Sequence, residues 1–197
     1  TEFGRQCVQG PIFNDITFYQ RYIDRWVQLR RGKFAASNVN ALLDALNDEI
    51  TAEAASRDLT RWSQSKRSWN GMTGQNAEVQ RIKDWLQQRA NFMDSQWVPP
   101  VTITPPGGNY PDGTMVSMSG PPGATIYYTL DGSDPWPNSN NPPSSPNVHT
   151  YSGPFMVGAT TKIRARARNQ SWLGNPAVLI GSSNPPLRSA WSGYTDA

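Results

Sequence analysis

The chain has 197 residues, a net charge of +3, 37% hydrophobic residues and 17% charged ones. That length accommodates two domains, and a small charge spread over both halves argues against nucleic acid, which calls for a concentrated basic face. No apolar run approaches the ~20 residues of a membrane-spanning helix, and a single cysteine, Cys7, excludes an internal disulfide and reads as a small semi-buried residue.

The two halves differ in composition. One of the seventeen prolines, Pro11, precedes residue 99, as do thirteen of the eighteen Lys and Arg and eleven of the fifteen Asp and Glu. A charged, proline-poor half reads as helical, and a proline-rich half with few charges reads as strands and loops. The seam is Trp97-Val98-Pro99-Pro100. The expected fold class is therefore α+β in two segregated parts, with a helical region over 1–97, a β-sandwich over 98–182 and a tail over 183–197. The chain opens at Thr1 without a methionine or a charged-then-apolar leader, the expectation for a processed protein or part of a longer one.

About three helices are expected. Asn14-Asp15 can cap the first, whose Phe18, Tyr22, Trp26 and Leu29 share one face. Arg30 and Arg31 suit the negative end of its dipole, and Gly32 can take the left-handed terminating conformation. The basic cluster 30–33 reads either as a solvated helix end or as an anion site. Ser37 is the next cap candidate, ahead of the stripe Val39, Leu42, Leu43, Leu46 and Ile50, and the pattern can run on through Ala54 to Trp62. Asn70, Gly71 and Gly74 break it. A third helix is expected over 76–96, with Val79, Ile82, Leu86 and Met93 inward and Arg89 within reach of Trp85; Arg61 and Trp62 can pair similarly across helices. So many large apolar residues exceed what a small bundle hides, so this layer reads as a core or as a surface docked on a larger body.

The runs FYQRYIDRWVQLRRGKF, ALLDALNDEI, RDLTRW and VQRIKDWLQQRANFMDSQ, with Asp24-Arg25-Trp26, Arg61-Trp62, Trp85 and Arg89 in order, resemble the C-terminal helical part of the CotH-like spore-coat kinase family over residues 12 to 96. That resemblance implies descent from atypical protein kinases, which use a metal nucleotide and carboxylates. Their catalytic elements belong upstream of this region. The chain has no Gly-rich phosphate loop at a strand–helix junction and no strand-borne lysine paired with a helix glutamate. No catalytic, cofactor-binding or metal-binding residue is therefore assigned, and the expectation is that this chain is not an enzyme.

The second half is punctuated by short strands: Val101–Ile103, Met115–Ser119, Thr125–Thr129, Phe155–Val157, Thr161–Arg168 and Ala177–Ile180. This is the rhythm of an immunoglobulin-like antiparallel sandwich. Along 161–168, Lys162, Arg164, Arg166 and Arg168 alternate with Ile163, Ala165 and Ala167, so the cations share a face. That stripe reads as a grip for an anionic partner or as an ordinary solvated face that discourages edge pairing. Asp131-Gly132 predicts a tight turn, with Asp131 bonding nearby amides and Pro135 redirecting the chain. Asp131 and Asp134 fall short of the six to eight ligands calcium prefers.

Gly107-Gly108-Asn109-Tyr110, Gly123 before Ile126-Tyr127-Tyr128-Thr129, Asp131-Gly132-Ser133-Asp134-Pro135, Tyr151-Ser152-Gly153-Pro154 and the strand 162–168 resemble the chitobiase/β-hexosaminidase C-terminal module over residues 99 to 182. The resemblance implies an immunoglobulin-like accessory domain beside catalytic ones, not the hydrolase. A glycosidase needs paired carboxylates, and this half carries Asp112, Asp131, Asp134 and Asp196 with no glutamate. The chain departs from the module at the long Pro, Asn and Ser-rich loop 136–150, a length expected of functional or mobile segments. There Trp136, between two prolines, can stack on a sugar or cover the sandwich end. His149 is the only histidine. In the tail, Leu187, Trp191 and Tyr194 read either as part of a disordered end or as an anchor that packs on another surface.

The sequence thus predicts a non-catalytic structural or interaction fragment of a larger surface or multi-protein assembly, with other protein domains or subunits as partners. One alternative is a carbohydrate-binding accessory module, with glycan held by Trp136, Trp172 and the stripe Lys162, Arg164, Arg166 and Arg168. The other is the C-terminal part of a CotH-like kinase whose core lies outside this chain. The candidate contact residues are these six with Trp191 and Tyr194. The two resemblances imply an extracytoplasmic or cell-surface location.

Overall fold

A computed structural model of the chain describes residues 15–62, 74–173 and 189–197. Among the described residues four helices come first: α1 (Ile16–Arg31), α2 (Ala36–Asp48), α3 (Ala52–Arg61) and α4 (Gln75–Asp94). Seven described strands follow: β1 (Thr102–Thr104), β2 (Thr114–Ser119), β3 (Thr125–Thr129), β4 (His149–Thr150), β5 (Phe155–Val157), β6 (Arg164–Arg168) and β7 (Thr195–Asp196). Helices and antiparallel sheets are segregated along the chain, as the composition predicts. The chain forms two compact units, one of residues up to Val27 with Asp94–Ala197, the other Gln28–Met93. No described helix is long and apolar enough to cross a membrane.

In the first unit two antiparallel sheets, ordered β1-β2-β5 and β4-β3-β6-β7, enclose a core of Val98, Val101, Ile103, Val116, Met118, Ile126, Ile163, Ala165 and Ala167. The period-two alternation of β6 holds: its alanines face this core. The expected strand over 177–180 lies outside the described residues. The turn after β3 forms as expected. Gly132 has φ +78°, and Asp131 Oδ1 accepts from the Ser133 amide at 2.8 Å and its hydroxyl at 2.5 Å. These bonds hold the Asp131 carboxyl below its ordinary pKa, the hydroxyl contributing most.

Trp97 and Val98, which composition marks as a seam, are buried. Trp97 receives Tyr22 and Trp26 edge-on, at ring separations of 5.9 and 6.3 Å. Asp15 caps α1 by accepting from the Thr17 and Phe18 amides. The buried face of α1 is not the expected aromatic one. It consists of Gln20, Ile23 and Val27, with Phe18 and Tyr22 exposed. The physical reason is that α1 packs on a segment whose backbone needs hydrogen-bond partners, which glutamine supplies and phenylalanine cannot.

In the second unit, α1 ends without a left-handed Gly32, and the Arg30 guanidinium donates to the Phe34 carbonyl at 2.7 Å. Ser37 lies inside α2, whose cap position is Ala35 with no side-chain cap bond. The second helix does not run on to Trp62. Thr51 interrupts it and caps α3, its hydroxyl accepting from the Ala54 amide. Arg89 lies over Phe92 rather than Trp85, and Arg61 over its own neighbour Trp62.

No described residue of this unit is buried. Ile82, expected inward, is exposed, as are Leu42, Leu46 and Ile50 of the second stripe, Leu42 by 61% and Leu46 by 49%. Polar contacts join α2 to α4 instead. Lys83 pairs with Asp44, and Gln75 donates to Asn47 Oδ1 at 2.6 Å. Three helices of 10, 13 and 20 residues with one-sided stripes have too little depth to enclose large side chains.

Candidate functional site

Among the described residues an extensive polar cluster centres on Arg166, in the middle of β6. Its side chain is fully buried, although period two places it opposite the sandwich core. The segment 189–194 runs beside β6. The Ser192 amide donates to the Ala167 carbonyl, the Asn169 amide donates to the Ala190 carbonyl, and β7 then pairs with β6. The N-terminal half of α1 covers this segment.

All five N–H donors of the guanidinium are satisfied. Nη1 donates to Asp24 Oδ1 at 2.7 Å and to the Ser192 carbonyl at 2.8 Å. Nη2 donates to Asp24 Oδ2 at 2.8 Å and to Asp134 Oδ2 at 2.6 Å, and Nε donates to Asp134 Oδ1 at 2.6 Å. Planar bidentate pairing on two sides is geometry that arginine alone provides. Burial alone would lower the Arg166 pKa, but the bonds to Asp134 and Asp24 outweigh it, so the group stays charged. Tyr194 stacks at 5.3 Å from Arg166 and 4.2 Å from Arg164.

The surrounding polar groups are also paired. Gln20 Nε2 donates to the Ser192 carbonyl at 2.9 Å, and its Oε1 accepts from the Ser189 hydroxyl at 2.5 Å. The Ser192 hydroxyl caps the Gly193 carbonyl and accepts from the Ala167 amide. Gly193 has no room for a side chain, since a Cβ there would lie 2.6 Å from Val27 Cγ2. Gly193→Ala is therefore expected to cost about 1–3 kcal/mol as α1 shifts away. Pairing it with Val27→Ala should return part of that loss in chemical denaturation.

The cationic stripe is thus not an open surface. Arg164 forms a bidentate pair with Asp196 at 2.7 and 2.9 Å, and Arg168 donates to the Asn140 carbonyl and to Gln170. Of the four cations, Lys162 is exposed. Both sequence readings, solvated face and anion grip, fail for Arg166 because the tail and α1 cover it.

Trp191 is fully buried against Tyr127, with 5.4 Å between rings, and its indole donates to the Ser139 carbonyl at 2.8 Å. The described end of the tail, 189–197, is moored on this chain's own sheet. Trp136 is half-buried, its indole donating to the same Ser139 carbonyl at 3.0 Å. The long loop therefore has a structural task. It presents Ser139 and Asn140, and Asn140 also accepts from the Ala190 amide. Trp172 is half-buried against the sandwich core. His149 lies on β4 with its ring 5.3 Å from that of Tyr128. Cys7, Asn14 and Leu187 lie outside the described residues.

Sequence reasoning missed Gln20, Asp24, Asp134, Ser189 and Ser192 as one network. The signal was present: Gln20, Ile23, Asp24 and Val27 fall at helical spacings on one face. Among the described residues, no three His, Cys, Asp or Glu side chains gather where they could hold a metal ion.

Residues 11–93 match the family model described as CotH kinase protein, and residues 105–179 match that of the chitobiase/beta-hexosaminidase C-terminal domain. Each covers less than half of the chain. No curated protein and no solved structure matches significantly. Asp24 and Gln20 lie in the first matched segment, Arg166 and Asp134 in the second, so the network ties the two together.

Proposed function

We propose that this chain, with its CotH-type segment and chitobiase-type domain, is a non-catalytic structural and interaction part of a larger protein or assembly. The sandwich holds the start of the helical region, and the helical unit offers an apolar surface to another protein domain. The single observation that carries this reading is that no described residue of the second unit is buried. Leu42 and Leu46 on α2 and Ile50 just beyond its end are exposed, and Trp85 is 58% exposed on α4. Isolated monomers seldom leave so many large apolar side chains in water. The saturated hydrogen bonding around Arg166 supports the structural part, since reacting groups need unmet valences aimed at a substrate.

A kinase fragment remains the alternative that the CotH match raises, with its catalytic core supplied elsewhere. The carbohydrate reading at Trp136 and Trp172 has less support, because both rings are half-buried. An extracytoplasmic place accords with a chitobiase-type domain, a kind typical of carbohydrate-active extracellular proteins.

Light scattering and binding of an apolar dye test the interaction surface. The purified chain should self-associate and bind the dye, and Leu42→Asp with Leu46→Asp should abolish both. These exposed changes should move stability by no more than about 0.5 kcal/mol. A wild-type chain that stays monomeric and dark would refute the surface. Phosphate transfer from ATP by the purified chain would refute the non-catalytic reading.

A further inference from the structure

A second site lies at one end of the sandwich. An open groove of about 390 Å³ runs between the β1–β2 connection and the segment leading from β5 into β6. That volume falls in the range of small-ligand sites. Its apolar floor includes Val116, Val157 and Ile163. Its walls are braced from within. The Gly113 amide donates to the Val157 carbonyl at 3.0 Å, the Thr114 hydroxyl to the Pro111 carbonyl at 2.6 Å, and the Thr161 hydroxyl to the Ala159 carbonyl at 2.8 Å. The groove is therefore preformed.

The rim contrasts with the Arg166 network. Asn109, Tyr110, Asp112 and Thr160 line the groove, and none of their side chains has a hydrogen-bonding or ionic partner among the described residues. Tyr110 is 47% exposed. Gly108 sets the ring's place, since a Cβ there would sit 3.3 Å from Tyr110 Cε2. No lysine or arginine lines the groove, and Asp112 is the one acidic side chain among its lining residues.

We infer that this groove binds a neutral oligosaccharide. An aromatic ring offers a face to the C–H surface of a sugar. An amide, a carboxylate and a hydroxyl around it can bridge neighbouring sugar hydroxyls as acceptors and donors. The uncompensated carboxylate disfavours anionic glycans and phosphates. Proline-rich peptides fit less well, because their grooves are built from several aromatic ridges and here there is one. The site is separate from Trp136 and Trp172 and independent of the helical unit.

Calorimetric titration of the whole chain with cellohexaose and chitohexaose, two uncharged hexasaccharides, tests the inference. Hexagalacturonate and a proline-rich decapeptide serve as competing classes. At least one neutral hexasaccharide should bind. Tyr110→Ala should weaken it about tenfold or more and Asp112→Asn about threefold, with thermal midpoints unchanged. Trp136→Ala should bind as wild type. The inference is overturned by a lack of binding to both neutral sugars, by preference for hexagalacturonate or the peptide, or by binding that survives Tyr110→Ala.

Discussion

Arg166→Ala is expected to destabilise the first unit by about 3–5 kcal/mol, the loss typical of removing one partner from a buried charge network. The change leaves Asp24 and Asp134 facing one another without the cation between them, and leaves the Ser192 carbonyl short of a donor. Urea unfolding followed by tryptophan fluorescence would read it, because Trp97 and Trp191 lie in the same unit. Arg166→Lys should recover little, since an ammonium cannot make two bidentate pairs. Arg166→Met combined with Asp24→Asn and Asp134→Asn should be milder than Arg166→Ala alone, because no unpaired charge remains. A cost for Arg166→Ala below about 1 kcal/mol would mean that the group behaves as a surface ion pair, and the clasp would be wrong.

Trp191→Ala is expected to cost a similar amount, about 3–5 kcal/mol, through loss of a fully buried ring and the cavity it leaves. The effect should be local first. The indole bond to Ser139 ties the tail to the long loop, and the tail carries Ser189 and Ser192, which satisfy Gln20 and Arg166. Hydrogen exchange should therefore rise together at Ser192, at Ala167 and in α1 from Gln20 to Val27. Trp191→Phe keeps most of the apolar volume and loses the indole donor, so it separates packing from hydrogen bonding. Exchange confined to 189–197, with α1 unchanged, would show that the tail is not what holds the helix.

Much of the architecture was legible because it rests on local chemistry. The proline and charge asymmetry marked where helices give way to strands. The Asp131-Gly132 turn, the extent of β3 and β5, and the inward alanines of β6 follow from turn chemistry and period two. Thr51 was equally local but masked by an apolar pattern that ran past it, so two helices read as one. The cap at Ser37 failed because Ser37 lies within α2, where its position is set by Ala35 and the turn before it. The apolar stripe of α2 is where the sequence places it, but of its two readings, core or docked surface, the core one fails for Leu42 and Leu46, since periodicity reports a shared face and not what covers it.

The site was less legible for the same reason. Period two shows that Arg164, Arg166 and Arg168 point one way, and it is silent about whether water or protein lies there. Sequence alone determined the helix-then-sandwich order, the Asp131 turn and the alternation along β6, because each depends on residues within a few positions of one another. Tertiary structure alone decided that Arg166 is buried, that Trp191 docks on its own sheet and that Leu42 and Leu46 of α2 are exposed. Those outcomes depend on groups up to 172 positions apart, as Gln20 is from Ser192, and no local period carries information over such a span.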